Sequence, residues 1–266
     1  MSLAAATLPD GSRPSPALEA PAPADSLAPL AGVRFRLPCE DPWLLEEGTP
    51  AHTYLEAARA AWEEHEEWMD FLDLGSPAWD IKRAARDLYL EHLEPLIPEV
   101  STALDLGCGI GRFTQVLLDH GVTVHGVDGD LLSLQRCAWH AVGRAGALDL
   151  HWSTARVLPD VQVDLALAVE VLCYLDDPTA ALRELAARVR PGGHVFLAME
   201  ARWGWAVAQD APPGGLDVAL GDGSLLHLEG DRFVHLLDRD GMEALVRDAG
   251  LELVTLVATH YTADGP

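Results

Sequence analysis

The stretch Leu104-Asp105-Leu106-Gly107-Cys108-Gly109-Ile110-Gly111 decides how this chain is read. Ala103–Leu106 reads as a short apolar strand that runs into closely spaced glycines. A strand ending in glycines brings bare backbone close to a ligand, because no Cβ stands in the way. At the carboxyl end of a parallel strand, this is where doubly wound folds bind nucleotides. A plain tight turn would use the same residues, and a Gly-x-Gly-x-Gly match alone is weak evidence.

The surroundings strengthen the ligand reading. Val122–Val127 forms a second strand that ends at Asp128. A carboxylate there can accept two hydrogen bonds from ribose hydroxyls. A dinucleotide loop needs Gly-x-Gly-x-x-Gly, but Arg112 stands where its third glycine would be, which disfavours a nicotinamide cofactor.

The rest of this region alternates strand and helix. Helices are expected over Phe113–His120, Leu131–Val142 and Ala180–Val189, and strands over Leu148–Trp152, Val163–Val169 and His194–Met199. The near-continuous apolar run Val163–Val169 suits a central strand covered on both faces. This rhythm implies right-handed crossovers and an α/β, Rossmann-like, doubly wound and mostly parallel sheet. After Glu200 the rhythm breaks, and residues 201–233 read as an insert covering the site. A helix over Gly241–Ala249 and a strand over Leu251–Thr259 are expected to close the chain.

Toward the N-terminus, residues 1–31 hold Pro9, Pro14, Pro16, Pro21, Pro23 and Pro29 and read as a disordered leader. Residues 32–100 read as a helical cover segment, ahead of a core at 101–266. Thr49-Pro50 would start one helix, reaching about Phe71, and Ser76-Pro77 a second that stops near Pro95. Glu63, Glu64, Glu66 and Glu67 on the first are a solvated face.

Composition narrows the function classes. Acidic residues outnumber basic ones, 42 to 18, for a net charge of −24. Such a surface repels phosphate backbones and anionic lipid, so neither nucleic acid nor membrane is expected as a partner. No apolar run reaches the roughly 18 residues of a membrane span. Cys39, Cys108, Cys137 and Cys173 show no zinc-type spacing, which fits reduced thiols and a cytoplasmic location, with no metal expected.

Together these motifs resemble a known family. The run LDLGCGIGRFT is similar to motif I of the class I S-adenosylmethionine-dependent methyltransferases, in their small-molecule branch. Val163–Leu172 resembles their fourth-strand motif, and Leu182–Leu185 through Arg188-Val189-Arg190-Pro191-Gly192-Gly193 resembles the helix and turn before their fifth strand. The likeness spans about residues 102–200, with a weaker stretch over 233–259. It implies S-adenosyl-L-methionine as cofactor, bound by Asp105 and the loop Gly107, Cys108, Gly109 and Gly111 at its methionine end. It places Asp128 on the ribose, Gly129 beside the adenine, and Thr154, Ala155 and Glu170 around them. The family's third-strand motif commonly reads Gly-Asp-Ala, whereas this chain has Ser153-Thr154-Ala155. Its final antiparallel strand would have only Tyr261–Pro266 to draw on.

The resemblance also implies methyl transfer to an O or N atom of a small organic acceptor, as in secondary metabolism. A sulfonium activates its own methyl group, so alignment and exclusion of water are the main requirements. A base is needed only for an acceptor that is protonated at working pH. Glu170 and Tyr174, after the fourth strand, are the candidate catalytic residues, with Glu200 and His260 behind them. Trp62, Trp68, Trp79, Trp203 and Trp205 are candidate acceptor-pocket lining. A non-catalytic protein, or one moving a different group on the same fold, is the alternative.

Overall fold

A computed structural model describes residues 32–37, 39–49, 52–53, 55–57, 79–207, 215–221, 223–228 and 232–258. Six strands form one all-parallel sheet: β1 (Val33–Arg36), β2 (Thr102–Leu106), β3 (Thr123–Asp128), β4 (Leu148–Trp152), β5 (Val163–Val169) and β6 (Val189–Ala198). Their spatial order is β1-β4-β3-β2-β5-β6. Sequence-adjacent strands step outward from β2 through β3 to β4, and the chain then returns to β2's other edge with β5. The direction therefore reverses between β2 and β5, which is where open α/β sheets leave a crevice at the carboxyl ends of their strands.

Helices cover both faces. Helix α1 (Trp79–Leu93), α2 (Thr114–Asp119) and α3 (Leu131–Ala141) supply Tyr89, Leu93, Leu117, Leu118 and Leu134 to one core, against Ala103, Val124, Leu150, Leu165 and Leu167. Helix α4 (Pro178–Ala186) and α7 (Arg239–Asp248) supply Leu182, Leu185 and Leu245 to the other, against Leu104, Leu106, Ala166 and Ala168. Successive residues of β2 and β5 thus feed opposite cores, which explains why both strands are apolar along their length. Caps set where helices begin: Asp130 accepts from the Ser133 amide, Asp177 from Ala180 and Asp238 from Gly241.

The expected doubly wound sheet forms, with three local corrections. First, the segment expected to be helical cover from residue 32 opens with β1, a four-residue edge strand paired in parallel with β4. Its alternating Val-Arg-Phe-Arg carries too little apolar signal to stand out. Second, Leu251–Thr259 does not form the expected strand; residues 251–258 have no regular structure, and Val254 is 79% exposed. Third, Pro191-Gly192-Gly193 lies within β6 as an irregularity, across which the pairing shifts from Val163↔Val189 to Leu165↔His194.

The start expected at Thr49 is visible, since its hydroxyl accepts from the His52 amide at 3.2 Å. The rest of that helix, its glutamates, Trp62 and Trp68 lie outside the described residues, as does the leader 1–31. Within 201–233 stand α5 (Arg202–Val207), α6 (Gly215–Leu220) and β7 (Leu225–His227), which pairs antiparallel with β8 (Phe233–His235). No described helix is long and apolar enough to cross a membrane.

Candidate functional site

The crevice between β2 and β5 brings the glycine loop and Asp128 together. Gly107, Gly109 and Gly111 all have positive φ, at 68°, 52° and 94°. A side chain at Gly107 would put its Cβ 2.5 Å from Val171 Cγ2, so glycine there permits close packing against the end of β5. At Gly109 nothing lies within 4 Å of the Cβ position, so its bare backbone faces open space. The loop is tied down by the Gly107 amide, which donates to Val127 O at 2.8 Å.

Asp128 is held by two amides. Gly109 N donates to Oδ2 and Asp130 N to Oδ1, both at 2.8 Å. Each oxygen keeps a lone pair for a further donor. Burial pushes the Asp128 carboxyl up to about 7, with the charges of Asp130 and Asp105 adding to it and the two amides opposing it. Asp105 is 3% exposed and accepts from the Thr114 hydroxyl at 2.6 Å. Burial raises its carboxyl to about 6, against the lowering effects of Thr114 and Arg112. Cys108 is buried, its thiol raised well above the ordinary range by its contact with Cys137 and by burial. It is therefore a packing residue of the loop.

Glu170 follows β5 in the left-handed region at φ 57°, the only such non-glycine among the described residues. Its Oε1 accepts from Tyr89 Oη at 2.7 Å and its Oε2 from Arg112 Nη2 at 2.9 Å. Arg112 also lies 4.6 Å over the Phe113 ring. The Tyr89 phenol is pushed up by burial and by Glu170's charge, so it stays protonated and donates. Both Glu170 oxygens are thus engaged, which suits holding a shape better than abstracting a proton.

Tyr174 ends the short turn Leu172–Tyr174 and packs with Cys173 against Leu226, Val234 and Leu236 of the hairpin region. Thr154 donates to Asp41 Oδ2, and Ala155 is buried beside it. Leu44 and Leu55 crowd Gly129, at 3.4 and 3.1 Å from where its Cβ would be. Trp203 is 53% exposed, so it does not line a closed pocket here. Sequence reading missed Asp41, Tyr89 and Arg112 as site residues. For Asp41 a signal was present, since Asp-Pro is a helix-start pair; it caps Trp43 N at 3.0 Å.

A family model described as a methyltransferase domain matches residues 79–256. The chain belongs to that methyltransferase family. Membership makes it an S-adenosylmethionine-dependent enzyme, as the resemblance of its motifs implied. Among curated relatives is a ubiquinone biosynthesis O-methyltransferase of Pseudomonas paraeruginosa, 28% identical over 166 residues, 60% of this chain and 68% of that one. Another, from Aeromonas salmonicida, is 35% identical over 98 residues, 35% of this chain and 41% of the relative. This methyltransferase thus aligns with about two thirds of those relatives' length or less.

Two solved structures share the fold. A Thermotoga maritima protein described as a S-adenosylmethionine-dependent methyltransferase, possibly a histamine N-methyltransferase, has TM-score 0.51 and 22% identity, covering 76% of this chain and 82% of its own. A structure described as a DhpI-SAM-HEP complex has TM-score 0.52 and 18% identity, covering 75% of this chain and 90% of its own.

Proposed function

We propose that this methyltransferase moves the methyl of S-adenosylmethionine to an oxygen or nitrogen of a small organic acceptor, with oxygen favoured. The observation that carries the cofactor assignment is Asp128, held by the Gly109 and Asp130 amides with lone pairs to spare. The names of the curated relatives support oxygen.

When bound, the sulfonium supplies an already activated methyl group. The chain's residues then have binding and alignment to do. Asp128 would accept the ribose hydroxyls and the Gly107–Gly111 backbone would hold the methionine end, while Asp105 holds the loop's far side through Thr114. Thr154 and Ala155, beside Gly129, bound the base. Glu170 shapes the wall between cofactor and acceptor through Tyr89 and Arg112. Tyr174 follows Glu170 by four residues and the charge of Glu200 is felt at Tyr89, and one of the two takes the acceptor proton where the acceptor is a hydroxyl.

Residues 201–233 and the segment around 50–80 form the acceptor's cover. Support comes from the hairpin strands, which pack on Cys173 and Tyr174 immediately after Glu170. Calorimetry with S-adenosylmethionine, followed by methyl transfer to a panel of phenols, catechols and amines, tests the assignment. Stoichiometric cofactor binding with transfer to a hydroxyl is expected. A chain that binds no cofactor refutes it, and transfer to amines alone refutes the preference for oxygen. Protection of residues 50–80 and 201–233 from proteolysis by cofactor plus acceptor is expected; unchanged cleavage rates would remove the cover.

A further inference from the structure

Away from the crevice, on the face of β3 and β4 opposite α2 and α3, polar side chains gather where a sheet is ordinarily apolar. His125 and Asp149 are register partners, and His151 is two residues further along β4 on the same face. One ligand atom from each lies within 4.8 Å of the others. Asp149 and His151 are 8% and 4% exposed.

Two ring nitrogens there lack partners. His151 Nε2 and His125 Nδ1 are buried with no hydrogen bond among the described residues. Leaving such groups unmet costs about 1–3 kcal/mol each, so two of them within one cluster call for an occupant. The other nitrogen of His151, Nδ1, contacts Glu40 Oε2 at 3.1 Å. A carboxylate only accepts, so Nδ1 carries the proton and Nε2 presents a lone pair. A carboxylate behind the far nitrogen of a histidine is the arrangement that orients metal-binding imidazoles.

We propose that His125, Asp149 and His151 form a divalent transition-metal site, of the two-histidine, one-carboxylate kind that zinc takes, with Glu40 orienting His151. Zinc–ligand bonds of about 2.0–2.2 Å at tetrahedral angles put ligand atoms about 3.4 Å apart. His125 Nδ1 and Asp149 Oδ2 are already 3.9 Å apart, so small side-chain rotations suffice. The fourth position is open, to water. A groove of about 560 Å³ lined by Arg34, Arg36, Cys39 and Glu40 lies beside the cluster, since Arg36 contacts Asp149 and Glu40 contacts His151.

The arginines moderate the affinity. Arg36 binds Asp149 through Nε to Oδ1 at 3.1 Å and Nη2 to Oδ2 at 2.8 Å, and Arg34 stands 3.6 Å from Oδ2. Metal binding takes Oδ2 from Arg36 Nη2 and leaves Oδ1 with Nε. Arg34 is 72% exposed at its side chain and contributes only repulsion toward the ion.

The test is titration of chelator-treated full-length protein with Co²⁺, read by visible absorption, and with Zn²⁺, read by displacement and by melting temperature. One equivalent of Co²⁺ with tetrahedral-type bands, displaced by Zn²⁺ and accompanied by a raised melting temperature, is expected. His151→Gln and His125→Gln should each abolish the equivalent, whereas His120→Gln, an exposed histidine elsewhere, should keep it. Should either ligand variant fail to fold, Glu40→Gln decides, with a 10–100-fold weaker Co²⁺ affinity on an intact fold. Arg34→Gln should tighten binding. Absence of a stoichiometric equivalent in the parent protein, or its survival in a folded His151→Gln chain, overturns the proposal. Neither readout depends on methyl transfer.

Discussion

Asp128 offers the sharpest test of how the cofactor is held. Its carboxylate takes two backbone amides at 2.8 Å, and the proposal gives it two ribose hydroxyls as well. Hydrogen bonds to a charged group contribute about 1.5–3 kcal/mol each, so Asp128→Ala should weaken S-adenosylmethionine by about 3–6 kcal/mol, a hundredfold or more. The same carboxyl is raised to about 7 in the free protein. Only its ionised form accepts from both hydroxyls, so affinity should fall as pH drops through that value. With a pKa of about 7 the ionised fraction is about 0.9 at pH 8 and about 0.1 at pH 6, which predicts roughly tenfold weaker binding at pH 6. Calorimetry across that range, on the parent and on Asp128→Asn, separates the two effects. The parent curve should slope, and the Asn variant should be weak and nearly flat down to the pH where Asp105 begins to titrate, about 6. A parent affinity that does not change between pH 6 and 8, or an Ala variant within tenfold of the parent, would refute the reasoning.

Four further outcomes are expected. The raised carboxyl of Asp128 means that folding favours its neutral form, so its stabilising contribution is complete below pH 4 and lost as pH rises through about 7. Without cofactor, Asp128→Asn should therefore melt above the parent at pH 8, by at most about 4 kcal/mol, and match it near pH 4. Gly107→Ala combines a positive φ with a Cβ 2.5 Å from Val171 Cγ2, and should cost about 2–4 kcal/mol in denaturant melts. Gly143→Ala, at φ 82° with open space around it, should cost only about 1–2 kcal/mol. Tyr89→Phe removes the donor to Glu170 Oε1 and should destabilise by about 1–2 kcal/mol, read by urea unfolding. Equal stability of that variant would mean that Glu170 is held by Arg112 alone.

The features legible without coordinates share a cause. The glycine loop, the apolar run Val163–Val169 and the carboxylate ending β3 are all encoded within a few neighbouring residues, by backbone freedom and by burial on both faces. Local physics therefore announces the sheet and its parallel sense, and the likeness of these runs to a known family implies the cofactor. β1 escaped because four residues of alternating charge on an edge strand are defined by their partner β4. The last strand was expected from its apolar pattern, but such a pattern forms a strand only when a free edge accepts it, and residues 251–258 remain unpaired.

The site divides in the same way. Gly107, Gly109 and Asp128 could be picked out as candidates because backbone freedom and strand ends are visible in the sequence. Asp41 meets Thr154 across 113 residues of chain, and Tyr89 meets Glu170 across 81. Glu170 was legible as a residue after a strand, but its role changed once Tyr89 and Arg112 were seen to occupy both oxygens. His125, Asp149 and His151 are unremarkable in sequence and become a cluster only through the register of β3 on β4. The sequence by itself determined the parallel sheet, because that follows from short-range patterns, and its motifs implied the methyl donor through their resemblance to a known family. The tertiary structure alone decided which side chains meet around them, because that depends on strand order and register, which no local window contains.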